Sequence, residues 1–132
     1  MPTNFVPEIT SLYAAILALF YLLLTLNVIL CRYRAQVSVG VGSKGEITLP
    51  VRVHGNFAEY TPLALVLLLL MELMLVPTPW LYVLGGAFTL GRLLHALGLG
   101  SSAGTSIMRL AGMLLTMGYF LISGVLLLML AI

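Results

Sequence analysis

Residues 9–34 read ITSLYAAILALFYLLLTLNVILCRYR. From Ile9 to Cys31 there is no charged side chain, and Asn27 is the one strongly polar member. About 20 apolar residues cross a bilayer as a helix, so this run is long enough to span it. Arg32 and Arg34 then end it abruptly. The run does not read as a signal peptide. Residues 1–8 hold no basic group, and no small-residue cleavage site follows.

The remainder has the same character. Of 132 residues, 61% are hydrophobic and 8% charged, and the mean hydropathy is +1.16. A soluble domain of this size needs far more polar surface, so the expected solvent is lipid. The charges stand singly, without the basic stripe that nucleic acid binding needs. The single cysteine, Cys31, excludes a disulfide within the chain. It reads as a small apolar residue at a helix end; adjacent Arg32 keeps a reactive thiol open as the alternative. Two histidines, His54 and His95, are too few for a metal site.

Three further spans follow, at about 50–76, 80–99 and 107–131, after a first span at 9–31. The 32–49 loop, RYRAQVSVGVGSKGEITL, is too rich in glycine for a long helix and leaves room for a short hairpin. Pro50 suits the first turn of the second helix. Pro62 lies inside it, where a kink or loosening is expected. Pro77 and Pro79 end it in a tight turn. Trp80 and Tyr82 open the third span as interfacial aromatics. Residues 98–105, GLGSSAGT, form a turn, with Thr105 or Ser106 as the cap of the fourth helix. The expected fold is an all-α integral membrane protein, one transmembrane domain over residues 1–132, built as an up-down-up-down four-helix bundle.

All six cations, Arg32, Arg34, Lys44, Arg52, Arg92 and Arg109, fall at one end of these spans. The positive-inside rule places that end in the cytoplasm, with both termini and the Val76–Trp80 turn outside. The same end collects polar groups inside the helices. In PVRVHGNFAEYTP, residues 50–62, Arg52, Asn56 and Glu59 follow at helical spacing and share a face, with Tyr60 at its edge. A charge at the bilayer centre costs about 2.5–3.5 kcal/mol even on the lenient insertion scale, so this face wants partners. An Arg52–Glu59 lock is the plainer reading, but it leaves Asn56 and Tyr60 unexplained. His54 points the other way, toward a neighbouring subunit or the interface. On the third span Arg92 and His95 lie on one stripe with Gly85, Phe88 and Leu99. Arg92 is placed to neutralise Glu59 or Glu46; His95 suits a core hydrogen bond or a ligand contact equally. Arg52 and Arg109 both occupy first turns, where the helix dipole disfavours cations and an anionic ligand would offset them. Glu72, near the outer interface, reads as a rim residue, and Glu8 as solvated.

Taken together, these residues resemble the MAPEG family, the membrane-associated proteins in eicosanoid and glutathione metabolism. The resemblance rests on Arg52-Val-His-Gly-Asn56-Phe-Ala-Glu59-Tyr60-Thr-Pro62, on Gly91-Arg92-Leu-Leu-His95, on Arg109-Leu-Ala-Gly, and on Arg32 at the end of the first span. It covers nearly the whole chain and has the look of a bacterial member, similar to microsomal glutathione transferase and leukotriene C4 synthase. It implies a homotrimer in the inner membrane, with glutathione between subunits on the cytoplasmic side. It implies that Arg52, Asn56, Glu59 and Tyr60 hold glutathione with help from Arg32. Arg92, His95 and His54 complete the candidate binding set, and Arg109 matches the arginine assigned to the thiol. The synthases carry tyrosines where His95 and Leu99 stand here. The implied activity is a glutathione transferase or peroxidase for lipophilic electrophiles. The alternative is a non-catalytic lipid-binding or scaffold protein of the same fold. A transporter is disfavoured by the lack of an inverted repeat.

Overall fold

In the computed structural model, which describes residues 6–101, 104 and 106–132, four helices run in sequence: α1 Glu8–Ala35, α2 Thr48–Leu73, α3 Thr78–Ser101 and α4 Ile107–Ala131. Each is long and apolar enough to cross a membrane. No strand occurs among the described residues. This is the four-helix membrane bundle that the hydropathy pattern predicts. The helix ends, however, differ from the hydropathy boundaries, and each difference has a local cause.

α1 continues four residues past Cys31 to Ala35. Arg32 and Arg34 suit the negative end of its dipole. Gln36 then takes a left-handed conformation, φ 55°, and Val37 N–H bonds back to the Arg32 carbonyl at 3.1 Å. That closure ends helices irrespective of hydropathy. The loop to α2 is a series of turns, not a hairpin. Gly40, Gly42 and Gly45 hold φ of 73°, 87° and 71°, values that favour glycine. Arg32 Nη1 donates to the Gly40 carbonyl at 3.0 Å and draws the loop onto α1.

α2 starts at Thr48, which puts Pro50 within the first turn, and it runs unbroken through Pro62. It ends at Leu73 rather than Val76, because Leu75 turns left-handed at φ 58° and Val76 N–H closes onto Met71 O at 3.1 Å. α3 accordingly begins at Thr78 and takes Pro79 into its first turn. Ser106 caps α4, its Oγ accepting from Arg109 N–H at 3.2 Å. Thr105, the other candidate cap, lies outside the described residues.

α3 is the most buried helix and lies along α4. Their approach is set by Gly91 and Gly112. A Cβ on Gly112 would stand 2.5 Å from the Gly91 carbonyl and 2.5 Å from His95 N. Small residues at such crossings let backbones meet where lipid supplies no hydrophobic drive. The apolar core joins Tyr13 and Leu17 of α1, Phe57 and Leu68 of α2, Leu84 and Phe88 of α3, and Tyr119 of α4.

Glu72 is not a rim residue. It is buried, and its two carboxylate oxygens accept from Ile9 N–H at 2.9 Å and Thr10 N–H at 2.7 Å. It thereby caps α1 from α2, satisfying two of the donors every helix start leaves open. Glu72→Ala should lower stability by about 3 kcal/mol, since hydrogen bonds to charged groups contribute roughly 1.5–3 kcal/mol each. Glu72→Gln, with one accepting oxygen, should cost about half as much. Thermal unfolding in detergent reads both. Likewise Gly112→Ala should destabilise by about 1–3 kcal/mol through overpacking, whereas Gly124→Ala, with open space around it, should be neutral or slightly stabilising.

Candidate functional site

At the end where α2 and α4 begin and α3 finishes, three helices surround a cavity of about 340 Å³. α2 lines it with Thr48, Leu49, Arg52 and Asn56, α3 with His95 and Leu99, and α4 with Arg109 and Met113. Each helix contributes residues four apart, the spacing that stacks side chains on one face. The starts of α2 and α4 carry no acidic residue in their first turns. Two positive helix ends and two arginines therefore converge here, an arrangement that suits an anion.

Behind the cavity sits Arg92, 1% exposed. Its Nη1 donates to Asn56 Oδ1 at 2.7 Å and to the Asn56 carbonyl at 3.3 Å, and its guanidinium lies 5.0 Å from the centre of the Tyr60 ring. Nη2 meets the Met113 sulfur at 3.9 Å, and Nε has no partner among the described residues. The sequence offers Glu59 or Glu46 to this cation. Neither takes it: Glu46 accepts from Lys44 N–H in the loop, and Glu59 is exposed. A guanidinium only donates, so the Asn56 atom facing it is the oxygen. The Asn56 amide nitrogen is left as a donor.

His95 is 4% exposed, and its Nδ1 lies 3.3 Å from the Arg109 carbonyl. A carbonyl only accepts, so Nδ1 carries the proton, and Nε2 of the neutral ring is an acceptor. Arg109 Nη1 donates to the Gly104 carbonyl at 3.4 Å. The wall is thus rich in donors from Arg52, Asn56 and Arg109, with one imidazole acceptor among them.

Of the residues singled out by sequence, Arg52, Asn56, His95 and Arg109 meet at this cavity, while Arg92 and Tyr60 pack behind it. Three others lie elsewhere in the chain. Arg32 lines a separate hollow with Tyr33, Gln36, Val37 and Ser38. Glu59 faces outward on α2, in line with Arg52. His54 turns to α1, its Nε2 3.1 Å from Thr25 Oγ1 and its ring stacked 4.8 Å from Tyr21. Met113 escaped the sequence reading; its spacing of four from Arg109 was the available signal.

The model of the MAPEG family matches residues 10–130 of the chain. Inner membrane protein YecN of Escherichia coli (strain K12) is 34% identical over 90 residues, covering 68% of this chain and 69% of that protein. YecN of Escherichia coli O6:H1 (strain CFT073) matches equally. No solved structure matches. The four spanning helices, the polar residues at their shared end and a family match over nearly the full length agree: the chain is an integral membrane protein of the MAPEG family.

Proposed function

We propose that this protein is a glutathione transferase or peroxidase that activates the glutathione thiol for attack on lipophilic electrophiles. The observation that carries this reading is the meeting of Arg52, Asn56, His95 and Arg109 around one cavity at two helix N-termini. Glutathione use is a property of the family and supports the same reading.

The chemistry matches the ligand's groups. Glutathione carries two carboxylates, an ammonium and a thiol. Arg52 pairs with a carboxylate in fork geometry. The Asn56 amide donates to a peptide carbonyl, held in that orientation by Arg92. A free thiol with a pKa of about 8.5 is only a few per cent ionised at neutral pH. A cation within about 4–6 Å favours the thiolate by one to three pK units. Arg109, at a helix N-terminus, supplies that cation. The thiol proton passes to water, and the thiolate sulfur attacks an electrophile arriving from the bilayer, where such compounds are already concentrated. In transfer a carbon–sulfur bond forms as the carbon's leaving group departs as an anion. In peroxidase turnover the O–O bond of a hydroperoxide breaks, the alcohol leaves, and a second glutathione converts the sulfenic acid to glutathione disulfide and water.

Glu59 and Arg32 enter through a second copy of the chain. Glu59 stands about two turns beyond Arg52 on the exposed face of a spanning helix. A carboxylate there is costly against lipid, and a neighbouring subunit would both cover it and bring Arg32 to the site. This supports a neighbouring copy of the chain; the family resemblance makes the assembly a homotrimer with intersubunit glutathione sites, facing the cytoplasm by the positive-inside rule.

The test is a glutathione titration of detergent-purified protein, followed by the ultraviolet absorbance of thiolate. Wild type should give a saturable signal. Arg109→Ala should lose that signal and about tenfold or more of turnover while keeping most of the affinity. Arg52→Ala should weaken binding about 30-fold, the equivalent of one charge-assisted hydrogen bond of about 2 kcal/mol. Absence of any binding in wild type would instead favour the lipid-binding alternative. The apolar groove of about 480 Å³ between α1 and α2, lined by Leu17, Tyr21, Phe57 and Leu65, suits such a ligand.

A further inference from the structure

The backbone of Arg109 is held at three points. Its N–H is capped by Ser106 Oγ at 3.2 Å. Its N and Cα abut Gly98 so closely that a Cβ there would fall 2.6 Å and 3.1 Å from them. Its carbonyl receives His95 Nδ1 at 3.3 Å.

The third contact has no role in helix termination. The groups left open at a helix start are N–H donors, not carbonyls. The Arg109 carbonyl already serves α4 as an acceptor four residues on, and its second lone pair takes the imidazole. Nor is the histidine required to bring α3 and α4 together, since Gly91 and Gly112 do that. What the bond adds is rotational. It fixes the turn of α4 about its own axis at a residue that lines the cavity. A guanidinium some 9 Å from the helix axis moves roughly 1.5 Å for each 10° of rotation, and a misplacement of about 1 Å can cost on the order of 100-fold in rate.

We infer that His95 is a positioning residue for Arg109, acting through its Nδ1–H rather than by touching the ligand through Nε2. Its functional consequence rests on the reading of Arg109 as the cation beside the thiol; the tether itself does not.

Three variants separate the roles. The Asn side chain nitrogen occupies about the place of imidazole Nδ1, so His95→Asn keeps the tether and removes Nε2. The Gln amide reaches the place of Nε2, so His95→Gln keeps that position and loses the tether. His95→Phe loses both and keeps the ring. Two readouts are taken. Hydrogen exchange of the ligand-free protein should show protection of amides 109–113 reduced about tenfold in His95→Phe and His95→Gln, and retained in His95→Asn. The pH midpoint of thiolate formation on bound glutathione should rise by about one unit in His95→Phe and His95→Gln, with kcat falling and KM little changed, and His95→Asn should recover most of both. Rescue by Gln and not Asn would overturn the proposal in favour of a ligand contact. Equal exchange in all four proteins would overturn it outright. The expected exchange pattern without any thiolate in wild type would uphold the tether and refute the role given to Arg109.

Discussion

A guanidinium removed from water in an apolar bundle is costly unless its donors find partners, and much of this structure follows from the partners that Arg92 gathers on Nη1 and Nη2. The side chain is fully buried, with no carboxylate of the described residues against it; a carboxamide, a backbone carbonyl, a thioether and an aromatic face surround it instead. These partners come from α2 and α4, so one α3 residue ties three helices together. They also fix which atom of Asn56 remains for the cavity. The charge itself stays uncancelled by these neutral partners, and in a low-dielectric setting its field reaches the adjoining cavity. An anionic ligand is therefore favoured by a residue that does not line the site.

The helix ends add to the same potential. α2 and α4 both begin at the cavity without acidic first turns, and Arg52 and Arg109 stand where the dipole disfavours them. The opposite end of the bundle shows the reverse economy. There Glu72 lies against the start of α1, where a carboxylate is favoured. One end is closed by an internal anion, and the other is left open to an external one.

The spans, their order and the residues at helical spacing were legible in the sequence, because lipid imposes length and apolarity on every crossing helix. Arg52 and Asn56 share a face for the same periodic reason. Helix termini were less legible. Gln36 and Leu75 end α1 and α2 in left-handed conformations that neither residue type announces. Glu72 was misread because its partners are more than 60 positions away. The pairing of Arg92 with Asn56 was hidden likewise: two carboxylates were on offer, and electrostatics alone favoured them over an amide. His54 lies only two residues from Arg52 yet faces α1, because two steps of a 3.6-residue repeat are about half a turn.

The central claim is that this cavity holds glutathione as its thiolate at neutral pH. The most direct measurement is the carbon-13 resonance of glutathione labelled at the cysteine Cβ, recorded with the protein in nanodiscs. The account predicts a bound signal at the shift of a thiolate while free glutathione remains a thiol. A bound signal at the thiol position, or no bound signal at saturating ligand, would contradict it.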